Sequence, residues 1–348
     1  MKPWCRNGIL AAGGLALILV GATAVVAGTG AVFGPHARAL TNRSFSRTAP
    51  RQARGRYLVE AVAGCMDCHS PHDFTRHDAP ILPGMEGAGQ EISVVMRGLP
   101  GTVVAPNLTP DAETGAGTWT DDALARAIRE GIGHDGRALF PMMPYGHFRS
   151  LPDEDVASIV VYLRSLPPVR NPLAQTQLVF PVKYLIRSVP HPLPGPVPQA
   201  DLSDPVHRGA FLVNAAGCAD CHTPKRRGQP IPGMDFSGGL ILDGAWGRVA
   251  SANLTPDPSG IPYYDKDMFV QALRTGYVGG ARRLSQVMPW ATFRNMTDED
   301  LGAIYAYLKT MPPVKHRVDN TEPPSYCPID KNWHGFGDRN QTKRTRLE

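Results

Sequence analysis

Two stretches decide how this chain is read: Cys65-Met66-Asp67-Cys68-His69 and Cys218-Ala219-Asp220-Cys221-His222. C-x-x-C-H is a pattern for covalent attachment of haem. Cysteines three apart share one face of a helical turn and can bond the two vinyl groups of the ring. The adjacent histidine can then ligate the iron. Cys-x-x-Cys also occurs in zinc sites and in thioredoxin-like redox pairs. Zinc does not account for a histidine directly after each second cysteine. A redox pair belongs in a strand-to-helix setting, which the flanking sequence does not offer. The reading is therefore two covalently bound haem c groups, held by Cys65, Cys68 and His69 and by Cys218, Cys221 and His222.

The surroundings of the two pentapeptides repeat. Arg54-Gly55-Arg56-Tyr57-Leu58-Val59 precedes the first, and Arg208-Gly209-Ala210-Phe211-Leu212-Val213 the second. Asn107-Leu108-Thr109-Pro110-Asp111 returns as Asn253-Leu254-Thr255-Pro256-Asp257, and Met143-Pro144-Tyr145 as Met288-Pro289-Trp290. The offset is 153 at the first cysteine, 146 at the asparagine and 145 at the methionine, so the order is kept while loop lengths differ.

Each repeat reads as helical. A helix runs into each pentapeptide, with Tyr57, Leu58 and Val62, or Phe211, Leu212 and Ala215, on its apolar face. A second helix spans Asp121 to Glu130, with Thr120 as N-cap and Gly131 as stop; its counterpart is Lys266 to Thr275, between Asp265 and Gly276. The last helix of each repeat follows a capping signature, Ser150-Leu151-Pro152-Asp153 or Thr297-Asp298-Glu299-Asp300, and ends before Pro167-Pro168 or Pro312-Pro313. No convincing run of alternating strands is present.

A haem iron held by histidine takes a sixth ligand, and methionine there raises the reduction potential. Met143 and Met288 stand in matching positions before the last helix of their repeats. A lone loop methionine is usually core filling; the matched Met-Pro-aromatic pair points to iron ligation. Met142, His134 and His147 are rivals in the first repeat. Asn107 and Asn253, with Thr109 and Thr255, are candidates for holding haem propionates, and Arg97, Trp119, Trp246 and Arg248 are weaker ones; an Asx-type turn is the plain alternative for the asparagines.

Composition bounds the rest. With 348 residues the chain has room for two domains. Its 34 prolines favour long loops, densest from Arg170 to Pro205. Leu178 to Ile186 within that stretch is apolar enough to lie on a surface or a partner. Net charge is +5, without the basic, aromatic-interleaved run of nucleic-acid binders. Cys5 and Cys327 stand outside the pentapeptides and are read as incidental. Gly8 to Phe33 is 26 residues without a charge, long enough to span a bilayer core of about 30 Å. It reads as an uncleaved anchor, with cleavage after Ala37-Arg38-Ala39 as the alternative. The arginines that follow it, Arg38 to Arg56, run against the positive-inside rule.

With the pentapeptides, both Asn-Leu-Thr-Pro-Asp runs and Gly131-Ile132-Gly133-His134-Asp135-Gly136-Arg137 leading to Met143, the chain resembles a tandem diheme cytochrome c. More narrowly it resembles the cytochrome c subunits of membrane-bound periplasmic dehydrogenases for alcohols, gluconate and aldehydes, over roughly residues 50 to 315. Those subunits usually carry three haems; this chain has two motifs. The resemblance implies an all-α fold of two tandem class I cytochrome c domains after an N-terminal transmembrane helix: an anchor or signal over 1–36, domains at 50–170 and 206–315, a linker at 171–205 and a tail at 316–348. It implies a carrier on the periplasmic side of a bacterial inner membrane, or a soluble periplasmic one if the segment is cleaved. The donor would be a dehydrogenase catalytic subunit or quinol, and the acceptor a soluble cytochrome, quinone or oxidase. It maps His69 and His222 onto the proximal ligands and Met143 and Met288 onto the distal ones. A diheme peroxidase would need one open distal site, against which the paired methionines stand. A haem subunit of a terminal oxidase is a third reading.

Overall fold

The structure, a computed structural model, describes residues 28–226, 228–280, 282–318 and 320, and the backbone of 325–326 and 333–334. The first repeat opens with α1 (Ala49–Tyr57), started by the Thr48 hydroxyl, which accepts from the Arg51 amide. A single π-helical turn, Leu58–Val62, continues it. Gly64, at φ +57°, then breaks the helix, so the first pentapeptide forms its own short helix, α2 (Cys65–His69). Next come α3 (Asp121–Glu130), α4 (Tyr145–Phe148) and α5 (Asp153–Leu163).

The second repeat copies this order. α6 (Pro205–Ala215) is capped by Asp204, and Gly217 at φ +65° separates it from α7 (Cys218–His222). α8 (Lys266–Thr275), α9 (Trp290–Phe293) and α10 (Asp298–Lys309) follow. The caps of α3 and α8 are those the sequence predicts: Thr120 accepts from Ala123 and Asp265 from Met268, while Gly131 and Gly276 end the helices in the left-handed region. At α5 the capping signature fails, because Pro152 stands at the N-cap and the Ser150 hydroxyl turns back to the His147 carbonyl.

In each repeat the first and last helices cross at a glycine. A Cβ on Gly55 would lie 1.9 Å from the Ser158 carbonyl oxygen, and one on Gly209 would lie 2.0 Å from that of Ala303. Only hydrogen fits, and the backbones touch. Arg54 forks onto Asp155 beside one crossing, at 2.8 and 2.9 Å; Arg208 reaches Asp300 and Glu299 beside the other. Leu58, Val59, Val156, Ile159 and Val160 fill the first core, and Leu212, Phe269, Leu301, Ile304 and Leu308 the second, in one continuous apolar cluster. Burying each such side chain stabilises the fold by about 2 kcal/mol.

The all-α expectation is corrected. Short antiparallel pairs brace the loops, including Gln90–Glu91 with Val104–Ala105 and Gly101–Thr102 with Gln177–Leu178. A hairpin joins Ile241–Gly244 to Gly247–Ala250. Glycines permit its tight turn, with Gly247 at φ +86°, and four-residue strands are too short for alternation to announce them.

The expected membrane-spanning helix is likewise corrected. Among the described residues no helix is long and apolar enough to cross a membrane. The apolar run ends in a five-residue helix, Thr29–Phe33. Gly28 at φ +84° and Gly34 at φ +95° bound it, and a continuous helix cannot pass through either conformation. Residues 8–27 of that run, Cys5 and Cys327 lie outside the described residues.

Candidate functional site

A cavity of ≈ 1550 Å³ is lined by Cys65, Cys68 and His69 of the first pentapeptide, by Met142 and Met143, and by Trp119 and His134. Small-ligand pockets run to roughly 300–1,000 Å³, so a porphyrin fits this space. Residues of the second repeat also line it, among them Cys221, Trp246 and Pro289.

The histidines are set up to act as ligands. His69 Nδ1 lies 2.7 Å from the Pro106 carbonyl oxygen, and His222 Nδ1 lies 2.7 Å from that of Ala252. A carbonyl only accepts, so Nδ1 carries the hydrogen and the Nε2 lone pair is left over. Burial lowers the pKa of both imidazoles, against the raising effect of the carbonyls, which keeps them neutral and ligand-ready. The four cysteines are free of disulfides. Burial pushes the Cys65, Cys68 and Cys218 thiols up to about 12, and raises that of Cys221. A zinc site needs thiolates. Among the described residues no group of three or more His, Cys, Asp or Glu side chains is arranged to hold a metal ion. Paired thiols beside one neutral imidazole, at the edge of a roomy apolar cavity, suit a haem.

Met143 borders the first cavity and packs on the central core, whereas Met142 packs on a smaller cluster with Ile92, Val103 and Phe140. Met288 is half-buried against the core. One rival ligand is otherwise engaged, since His147 makes bonds through both ring nitrogens; His134 stacks on Trp119 with ring centroids 4.1 Å apart. Asn107 gives its amide hydrogens to Val169 O at 2.7 Å and Thr114 Oγ1 at 3.2 Å, while its Oδ1 accepts from Thr109. Asn253 makes the same turn with Val314, Ser259 and Thr255. Their polar atoms are consumed in tying the loop to the chain that leaves the last helix. Trp246 reaches the first cavity from the second repeat, packed on Phe74 at 5.8 Å, with its indole nitrogen buried and unpartnered. Arg97 pairs with Asp243 across the repeats at 2.9 Å.

Sequence reading missed a reciprocal contact. Thr292 on α9 donates to Asp67 inside the first pentapeptide at 2.5 Å. His147, its counterpart on α4, bonds Asp220 inside the second at 2.9 Å and Asn214 at 3.0 Å. Each segment that follows Met-Pro is thus pinned to the pentapeptide helix of the other repeat. Burial pushes the Asp67 carboxyl up to about 6, against the Thr292 hydrogen bond and the His72 charge, which lower it. Burial also acts on Asp220, but His147 and Lys225 outweigh it and hold that carboxyl low. Matching residues 67 and 220 and then 147 and 292 was possible from the repeat, yet nothing in the sequence says that they meet.

The family described as Cytochrome c matches residues 52–167 and 206–312. The chain is 30% identical over 281 residues to the cytochrome c subunit of alcohol dehydrogenase (quinone) from Gluconobacter oxydans, covering 75% of this chain and 55% of that one. It is 33% identical over 280 residues to the fructose dehydrogenase cytochrome subunit from Gluconobacter japonicus, covering 76% and 53%. It is 28% identical over 278 residues to a diheme cytochrome c-type protein from Cereibacter sphaeroides, covering 78% and 89%. The chain spans about half the length of the dehydrogenase cytochrome subunits it matches.

Proposed function

The chain belongs to the cytochrome c family, and from that premise we propose that it is a two-haem electron carrier serving a dehydrogenase. It carries two covalently bound haem c groups. We assign one to a domain over 50–170 and the other to a domain over 206–315, with 171–205 as linker and 316–348 as tail. When bound, haem c supplies a one-electron Fe(III)/Fe(II) couple. The chain's residues do the rest. Cys65, Cys68, Cys218 and Cys221 tether the rings. His69 and His222 offer Nε2, each held by a backbone carbonyl. Met143 and Met288 complete the two sites as soft sulfur donors. Asn107 and Asn253 brace the walls.

The observation that carries this reading is the same histidine geometry at both sites, 2.7 Å from ring nitrogen to carbonyl in each. The shared wall, with Cys221 lining the first cavity, supports transfer within the molecule. The names of the relatives support a dehydrogenase catalytic subunit as donor; quinol is the alternative donor. Quinone, a soluble cytochrome or an oxidase would accept. We assign the chain to the periplasmic side of a bacterial inner membrane.

The test is absorption and EPR spectroscopy of the purified ferric protein at neutral pH. Two low-spin six-coordinate haems are expected, each titrating with one electron. A high-spin haem at either site would sink the pure carrier reading there and revive a haem enzyme of the peroxidase kind.

A further inference from the structure

One surface remains without a role. The stretch from Gln177 to Val189 is fixed to the first repeat: Gly101–Thr102 pair with Gln177–Leu178, and the Val179 amide donates to Pro100 O at 3.0 Å. Beyond that tie, Val182–Leu185 and Ile186–Ser188 form a short helical stretch. The helix Thr29–Phe33 docks against it. Ala31 N donates to Ser188 Oγ at 2.9 Å, and Gly30 comes so close that a Cβ would sit 2.5 Å from the Arg187 carbonyl oxygen. Together these pieces expose Phe33 at 76% and Phe180 at 77%, with Val179, Tyr184, Leu185 and Val189 also open. The Phe180 and Tyr184 rings are 6.2 Å apart. Soluble surfaces rarely present so many neighbouring apolar side chains without a use for them.

The charged side chains that the two contributing segments themselves carry have one sign. Lys183 Nζ and the Arg187 guanidinium flank the Tyr184 ring at 5.0 and 4.8 Å. Residues 28–59 and 156–200, which include both contributing segments, contain no Asp or Glu. The chain arrives at this face from residues 8–27, which are uncharged and mostly apolar. An apolar, aromatic surface whose own segments carry basic residues and no acids matches a lipid interface. Its apolar side chains enter the headgroup region, and nearby Lys and Arg side chains are attracted to an anionic leaflet.

We propose that the Phe33 and Val179–Val189 surface seats this protein on an anionic phospholipid bilayer. Lys183, Ile186 and Arg187 also line the cavity beside the first pentapeptide, so this seating turns that part of its wall toward the membrane. The proposal deepens the membrane location assigned above, and its test separates the two.

The experiment is hydrogen–deuterium exchange of the full-length holoprotein with vesicles of phosphatidylcholine alone or mixed equally with phosphatidylglycerol. Anionic vesicles should slow exchange in 179–189 by about fivefold or more, as expected of amides withdrawn from water, and leave the exposed Tyr263 loop unchanged. Phe180→Asp with Tyr184→Asp should abolish this protection and weaken vesicle partition by about tenfold, with the visible spectrum unaltered. Co-sedimentation without protection of 179–189 would overturn the surface while leaving the membrane location standing. Equal protection by both vesicle types would overturn the role of Lys183 and Arg187 and the choice of an anionic bilayer. Protection seen in no vesicle, but only in a complex with a dehydrogenase subunit, would make this face a protein dock and overturn the proposal.

Discussion

Gly209→Ala tests the helix crossing that organises the second repeat. In an isolated helix the change is favourable by about 1 kcal/mol, because alanine loses less backbone freedom than glycine. Here the added methyl would fall 2.0 Å from the Ala303 carbonyl oxygen and 2.7 Å from Tyr307 Cβ. An ordinary carbon–oxygen contact is about 3.3 Å, so α6 and α10 must separate by roughly 1 Å. The obstacle is largely backbone, which cannot swing away, and packing lost along the crossing adds to the cost. Overpacking of this kind costs about 3 kcal/mol, leaving a net loss of about 2 kcal/mol. For a domain of this size that lowers Tm by about 10 °C. Thermal unfolding of the holoprotein followed by far-ultraviolet circular dichroism reads the shift. Gly55→Ala should act likewise in the first repeat, against Ser158 O at 1.9 Å. A Tm that stays level or rises, as propensity alone would give, refutes the crossing geometry.

Other outcomes follow from single contacts. Met288→Ala should lower the potential of the second haem by at least ~60 mV, the equivalent of about 1.4 kcal/mol for a one-electron couple, and remove a methionine-to-iron charge-transfer band; an unchanged redox titration and spectrum would strike Met288 from the ligands. Arg38 pairs with Asp122 at 2.7 Å and Glu130 at 2.8 Å, both of whose side chains are buried. Arg38→Ala should cost about 2–4 kcal/mol in denaturant unfolding, with Asp122→Asn recovering part of the loss; an unshifted midpoint would show that the pairs contribute nothing. The pKa of His147 is raised chiefly by its bond to Asp220, against burial and the nearby charge of Lys225. Its stabilising contribution is therefore fully present below the ordinary histidine value and lost as pH rises through the raised one. The stability difference between wild type and His147→Gln should shrink across that window, and a difference constant with pH would contradict the ion pair.

The parts legible in the sequence are those with local causes. Thr120, Gly131, Asp265 and Gly276 bound their helices because a side-chain cap and a left-handed glycine act within one turn. Ser150 misled because Pro152 intervenes and the hydroxyl finds a nearer carbonyl. The hairpin at 241–250 escaped because its strands are too short to alternate visibly, although Gly244 and Gly247 flank its turn. The two pentapeptides could be read as haem-attachment motifs from spacing and repetition. Occupation of both Asn107 and Asn253 by the loop beyond the last helix, and the arrival of Trp246 at the first cavity, depend on contacts distant in sequence.

The paired contacts of Thr292 with Asp67 and His147 with Asp220 have the form of an isologous interface, in which one patch meets its own copy about an axis of rotation. In a homodimer every substitution at such a patch is made twice, so the two contacts stay identical and the two prosthetic groups stay equivalent. Joined in one polypeptide, the copies are free to differ. One contact here is a hydroxyl on a carboxyl that burial pushes up to about 6, and the other is an imidazole on a carboxylate held low. The covalent linkage thus permits unequal electrostatic surroundings on the two sides of one axis. That is the condition for an electron to have a preferred direction across it.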